Sequence, residues 1–424
     1  MPYADLFIHS ASYLATVRGH SGAPARGTEM AEVGMIEDGA LAIVGDKIAA
    51  VGTTAELEQA GWVGPGTVRL NASGKLVAPG FVDPHTHVLY GGSRENELPL
   101  KLAGVPYLEI LKQGGGILST VRATAAADDE ALKEQTKKRL QTMLSLGTTT
   151  AEVKSGYGLT PDQELRALRL IAELNEESVL DLVPTFMGAH AVPSGMSEED
   201  FTELVIRQML PQVAEQGIAE FCDVFCEPGV FSLETSERIL TRAKELGLKP
   251  KIHADELEAA GGAELAARLR AVSADHLLQA SDRGIEEMAE AGVIAVLLPA
   301  TSFNLAKNTY ARAREMVAAG VPVALATDSN PGSSPTESMP LVLTLGCLYL
   351  KLSPAEALTA ATINAAHALG RAERIGSLEA GKQADILMLD APNLNYLPYH
   401  FGNNPVATVV KKGKVVYSAE YRSQ

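Results

Sequence analysis

Between residues 76 and 332 the chain repeats one unit eight times: a short apolar run, in nearly every case ending in polar or ionisable residues, then a helix-like stretch. The runs are LVAPGFVDPHTH at 76–87, TTTAEVKSGYG at 148–158, LDLVPTFMGAH at 180–190 and AEFCDVFCEPG at 219–229. LKPKIHADE at 248–256, AVSADHL at 271–277, GVIAVLLP at 292–299 and VPVALATDSNPG at 321–332 complete the set. Strands alternating with helices is the pattern of βα units around a parallel sheet. The segment at 129–147 ends in glycine, a common helix stop, and the one at 160–177 opens with a threonine cap and a proline. Further helices are expected over 197–216, 232–246, 260–270, 281–291 and 308–319. Eight such units predict a (β/α)8, TIM-like barrel. A doubly wound open sheet is the alternative, but it leaves unexplained why chemically capable side chains end nearly every strand, where a barrel gathers them in one mouth.

The flanks read differently. ALAIVGDKIAAVG at 40–52 and TVRLNASGKLVAPG at 67–80 lie before the barrel pattern, and ADILMLD at 384–390 and ATVVKKGKVVYS at 407–418 lie after it. Neither end makes a generous core alone, so both are expected to pair into one small β-sandwich domain. The expected division is 1–75 and 376–424 for that domain and 76–375 for the barrel, which a chain of 424 residues accommodates.

A net charge of −16 argues against a nonspecific grip on nucleic acid or anionic membranes, although one placed arginine can still hold an anionic small molecule. Three cysteines are too few for a disulfide framework, and Cys222 and Cys226 are expected to be ordinary packing residues. The stretch MPYADLFIHS shows no secretory leader, and apolar runs such as VIAVLLPA at 293–300 are far shorter than a membrane span. The cytoplasm is therefore the expected location.

The sharpest local signal is His85-Thr86-His87 after an apolar strand. Residues two apart on a strand point to the same side, so both imidazoles can face the barrel interior. His253 closes KIH in the fifth strand, His276 closes SADH in the sixth and Asp328 closes ALATD in the eighth. Three imidazoles with one carboxylate suit Zn²⁺ or Fe²⁺, and a single divalent ion so held would activate water for hydrolysis. No dinucleotide fingerprint or phosphate loop is present; the glycines at 114–116 are expected to shape a long loop after the first strand.

PGFVDPHTH, HADE, SADH and ATDSNPG together resemble the amidohydrolase superfamily, over essentially the whole chain. HTHVLYGGSRENE at 85–97, EVKSGYGL at 152–159, FMGAHAVP at 186–193, KIHADEL at 251–257 and TDSNPGSSP at 327–335 are similar, more narrowly, to the imidazolonepropionase family. The resemblance implies hydrolytic ring opening of 4-imidazolone-5-propanoate to N-formimino-L-glutamate in histidine degradation. It implies His85, His87, His253 and Asp328 as metal ligands, and His276 as the histidine that orients or activates the attacking water. Asp328 would take that water's proton and pass it to the departing ring nitrogen, and Glu256 would hydrogen-bond the ring and share in the proton transfer as a third catalytic residue. Arg94 would clamp the substrate carboxylate, Tyr157, His190 and Ser333 would add substrate contacts, and Asn330 and Gly332 would meet the ligand tail. A homodimer is also implied.

Without the resemblance, several of these residues have plainer readings. Arg94 reads as a surface or salt-bridging residue, Tyr157 as structural, Asn330 and Ser333 as turn formers and Glu256 as the cap or first-turn acid of the following helix, while His190 divides evenly between contact and loop roles. The fourth strand, EFCDVFCEPG, lacks the lysine that bridges two metals in binuclear amidohydrolases, which favours one ion; Glu227 is the candidate substitute for a second. Lys154 is expected in a rim ion pair, Trp62 in the packing of the small domain, and His9, His20, His367 and His400 in structural roles. The competing function is a related aminohydrolase acting on another heterocycle, which the GGSRENE and EVKSGYG loops suit less well than a compact ligand with an acid tail.

Overall fold

A computed structural model of the protein describes residues 3–105, 109–110 and 114–420. The N-terminal strands are β1 (Leu6–Ala15), β2 (Met35–Val44), β3 (Lys47–Thr53), β4 (Val68–Asn71) and β5 (Leu76–Pro79). The barrel strands are β6 (Phe81–Asp83), β7 (Thr148–Lys154), β8 (Asp181–Ala189), β9 (Phe221–Cys226), β10 (Lys249–Ala254), β11 (Ser273–His276), β12 (Ile294–Leu297) and β13 (Val323–Leu325). The C-terminal strands are β14 (Ile386–Leu389), β15 (Val406–Lys411) and β16 (Lys414–Ser418).

The two ends of the chain share one mixed sheet in the order β16-β15-β14-β5-β1-β2-β3, with β4 also beside β1. Alternation along β1 sends Leu6 and Ile8 into a cluster with Leu41, Ile43 and Ile386, while Phe7 packs on the opposite face with Ala40, Ala42, Leu57 and Trp62. Lys411 fastens this sheet to the barrel: its ammonium lies 2.8 Å from Asp181 at the start of β8 and 2.7 Å from Asp385.

All eight expected barrel strands are present, each parallel to the next in chain order. The ring closes where Thr86 bridges Ser329, His87 N–H donates to Ser329 O at 2.9 Å and Asp328 N–H donates to His85 O at 3.1 Å. The histidine pair and the eighth-strand aspartate thus lie on the closing seam. Helix Pro161–Glu177 starts as expected, with the Thr160 hydroxyl accepting from Gln163 N, and buries Leu168, Ile171 and Leu174 against the strands. Cys222 and Cys226 are free thiols in the barrel core.

Two local expectations need correction, and one helix, present as expected, departs locally from α geometry. The run at 76–87 is two strands: β5 joins the outer sheet and only β6 the barrel, with Gly80 at the junction so close to Thr149 that a Cβ would stand 2.3 Å from its hydroxyl. The helix over 197–216 contains a π-turn at Val205–Met209, because Pro211 has no N–H to close an α-turn on Arg207. The helix expected over 308–319 is confined to Ala313–Ala318.

Candidate metal centre and its surroundings

Strand ends bring the imidazoles together. Ring nitrogens of His85, His87 and His253 all lie within 4.8 Å of one another, and Nε2 of His85 is 3.2 Å from Nε2 of His87. Oδ1 of Asp328 lies 3.4 Å from His85 Nε2 and 3.6 Å from His87 Nε2. Its Oδ2 accepts from the Thr301 hydroxyl at 2.7 Å, which orients the carboxylate. All four residues are buried. Burial holds the His85 and His87 imidazoles well below their usual pKa, helped by neighbouring cationic and imidazole groups and, at His87, opposed by Asp223, so both are neutral bases. It pushes the Asp328 carboxyl up to about 7, against the Thr301 hydrogen bond.

The far edges of two rings are anchored. His85 Nδ1 donates to Asp275 Oδ2 at 2.6 Å and His253 Nδ1 donates to Asp223 Oδ1 at 3.0 Å, leaving Nε2 of each with its lone pair. His87 Nδ1 is buried with no hydrogen-bond partner. Three ring nitrogens converging beside a carboxylate oxygen form a donor set that fits a divalent ion.

Beneath the imidazoles lies a charged floor. Lys154, expected at the rim, is instead wholly buried: Nζ is 2.6 Å from Asp223 Oδ2, 2.9 Å from Glu152 Oε2 and 3.7 Å from Asp275 Oδ2. The correction follows from parity, since Lys154 ends β7 two residues from Glu152 and both point inward. Lys251 Nζ reaches Glu152 Oε1 at 2.7 Å and the Pro84 carbonyl at 3.1 Å. Burial lowers the Lys154 pKa, but the three carboxylates outweigh it and keep the ammonium charged.

The other expected residues surround this centre. The ring of His276 is 5.5 Å from that of His85 and 5.1 Å from that of His253, and its Nε2 is 3.7 Å from Glu256 Oε2. His276 and Asp328 hold φ of +74° and +52°, conformations that non-glycine residues rarely adopt and that concentrate at working sites. His190 stacks on His87 with centroids 5.0 Å apart and donates from Nδ1 to Gly156 O at 3.0 Å; burial, helped by His253, pushes its pKa down to about 3. Tyr157 lies 5.3 Å from the His190 ring. Its loop is tied down by Glu164, which accepts from Gly156, Gly158 and Leu159 N–H at 3.0, 2.8 and 2.9 Å.

Glu227, weighed as a ligand for a second ion, is committed elsewhere. It accepts from the backbone N–H of Glu256, of Leu257 at 3.1 Å and of Glu258 at 3.4 Å, fixing the loop that carries Glu256. Asn330 acts as the turn former its sequence context suggests, accepting from Gly332 and Ser333 N–H, each at 2.8 Å. Arg94 is in an ion pair, with Nε and Nη2 at 3.0 and 2.9 Å from the two Glu97 oxygens. The same guanidinium packs directly against Gly332, where a Cβ would stand 2.2 Å from Nη1. The structure therefore joins Arg94 to the loop of Asn330, Gly332 and Ser333, and that loop leads straight from Asp328.

Glu152, Asp223, Lys251, Asp275 and Thr301 were not singled out from the sequence. For the four charged ones the signal was present: a charged residue within a parallel strand buried on both faces must be paired or functional; Thr301 lies on the helix Pro299–Asn304 and had none.

Residues 76–416 match the model of the amidohydrolase family, and residues 39–60 match that of an imidazolonepropionase-like composite domain of bacteria. The imidazolonepropionase of Alkaliphilus oremlandii is 55% identical over 97% of this chain and 98% of its own length. That of Alkaliphilus metalliredigens is 56% identical over the same shares. Among solved structures, an adenosine deaminase from Xanthomonas campestris with bound zinc superposes with a TM-score of 0.73 at 23% identity, covering 98% of this chain and 93% of that one. E. coli guanine deaminase gives 0.74 at 17%, covering 97% and 98%. Identities this low speak for a shared fold only.

Proposed function

The chain belongs to the imidazolonepropionase family of amidohydrolases, and from that membership we propose that its reaction is carried by one divalent ion, Zn²⁺ or Fe²⁺, held by His85, His87, His253 and Asp328. The reaction is hydrolysis of the cyclic amide C–N bond of 4-imidazolone-5-propanoate, giving N-formimino-L-glutamate in histidine degradation. The observation that carries the site assignment is the convergence of three buried ring nitrogens beside the Asp328 carboxylate. When bound, the ion acts as a Lewis acid on the ring carbonyl and makes water acidic enough to react near neutral pH.

The remaining work falls to the protein's own groups. His276, beside the rings of His85 and His253, orients the attacking water. Asp328 takes the water's proton and returns it to the departing ring nitrogen, the Thr301 hydroxyl keeping the carboxylate in place throughout. Glu256, half-buried and with its pKa raised by desolvation, shares hydrogen bonds with the imidazolone ring. His190, neutral and with Nδ1 engaged by Gly156, offers Nε2 to the ligand, and Tyr157 lies alongside. Arg94 receives the propanoate, with Glu97 orienting its fork and Asn330, Gly332 and Ser333 forming the wall behind the tail. Operation as a cytoplasmic homodimer completes the reading. Among the described residues no helix is long and apolar enough to cross a membrane.

The experiment is anaerobic incubation of metal-assayed protein with freshly generated 4-imidazolone-5-propanoate, with N-formimino-L-glutamate detected by mass spectrometry. Product at catalytic rates, lost on chelation, is expected. Folded, metal-loaded protein that forms none would overturn the assignment.

A further inference from the structure

Five ionisable side chains form one buried network beside the imidazoles, and two of them, Asp223 and Asp275, hydrogen-bond candidate metal ligands directly. Asp223 bridges two groups: Oδ1 receives Nδ1–H and the backbone N–H of His253 at 3.0 and 3.2 Å, and Oδ2 receives the Lys154 ammonium at 2.6 Å. Asp275 repeats the arrangement with a single atom, Oδ2 lying 2.6 Å from His85 Nδ1 and 3.7 Å from Lys154 Nζ. Glu152 completes the cage around Lys154 and is itself held by the Thr185 hydroxyl at 2.5 Å and by Lys251. All five side chains are fully buried, on β7, β9, β10 and β11. Without an internal cation, Asp223 and Asp275 would be uncompensated buried charges, free to turn from the Nδ1 edges or to take up protons.

We propose that Lys154 is a positioning residue for the metal centre: its buried ammonium holds Asp223 and Asp275 on the Nδ1 edges of His253 and His85, which fixes both imidazoles with Nε2 toward the ion. The proposal rests on the ligand set His85, His87, His253 and Asp328. Lys154 itself touches neither ion nor substrate. The carboxylates set tautomer and ring angle, and the lysine sets the carboxylates. A lysine is suited to this because three donors on one nitrogen can meet three carboxylates arriving from three strands.

The test compares wild type, Lys154→Met and Lys154→Arg. Each protein is stripped of metal and titrated with Co²⁺ against a chelating indicator, its visible absorption spectrum is recorded, and its folding is followed by circular dichroism. Removing outer partners of metal-bound histidines costs roughly ten- to a hundred-fold in affinity. Lys154→Met is expected to stay folded, bind Co²⁺ about ten-fold or more weakly and show an altered spectrum, and Lys154→Arg is expected to recover part of both. A folded Lys154→Met with wild-type affinity and spectrum would overturn the proposal. If Lys154→Met does not fold, Glu152→Gln/Lys154→Met removes one buried negative charge with the positive one and is read in the same way. Failure of both to fold would make the lysine a structural ion only and also overturn the proposal. Wild-type protein that binds no Co²⁺ would instead refute the ligand set, and the present inference with it.

Discussion

Gly332→Ala should separate substrate binding from chemistry. The glycine's φ is not among the positive values of this chain, so alanine brings no backbone strain. Its methyl, however, would stand 2.2 Å from Nη1 and 2.7 Å from Cζ of Arg94, roughly 1 Å inside ordinary van der Waals contact. The guanidinium must swing away, and with it the paired bonds to Glu97. A charge-assisted hydrogen bond of this kind is worth about 1.5–3 kcal/mol, so loss of a correctly aimed Arg94 corresponds to roughly ten- to a hundred-fold in kcat/KM. The metal cluster lies on other side chains and should be untouched. Steady-state kinetics with metal analysis should therefore show a raised KM, with kcat and metal content close to wild type. An unchanged KM would refute the Arg94–Gly332 account of tail binding, and a collapse of kcat with lost metal would show the loop to serve the ion instead.

Three further outcomes are expected. Asp328→Ala should abolish turnover and weaken metal retention, and near-normal turnover at full occupancy would remove its double role. Glu227→Gln should slacken the loop of Glu256 and lower kcat by about ten-fold while metal content holds, since at most two or three backbone hydrogen bonds are weakened; wild-type kcat would argue against Glu256 at the ring. Burial raises the Asp181 pKa, but Lys411 and Lys412 outweigh it and hold the group down to about 2. Its contribution, about 2 kcal/mol, is thus fully present above pH 4 and lost as pH falls toward 2. The difference in urea midpoint between wild type and Asp181→Asn should shrink over that range, and a difference independent of pH would refute the ion-pair origin.

The barrel was legible because eight apolar runs recurred and nearly all ended in chemistry-bearing residues, and the histidines at 85, 87, 253 and 276 with Asp328 stood at those ends. Strand parity placed the pair at 85 and 87 correctly on one side. What pattern alone could not supply was depth. Lys154 read as a rim residue because lysines are rarely buried, and only the convergence of Glu152, Asp223 and Asp275 from three strands makes its burial tolerable. Glu227 looked like a spare ligand until three amides of the next loop were found on it. The division of 76–87 between two sheets was hidden because the strand-forming parts of both halves are equally apolar, and the sheet that each joins is decided by partners far away in the chain, β1 and β14 for one and β7 for the other.

The most direct test of the metal reading is a titration of chelator-stripped protein with Zn²⁺ or Fe²⁺ under anaerobic conditions, measuring ring opening at each addition. Turnover absent without metal, rising linearly and levelling at about one equivalent per chain is predicted. Turnover that survives stripping, or that levels only at two equivalents, would contradict a single ion at His85, His87, His253 and Asp328.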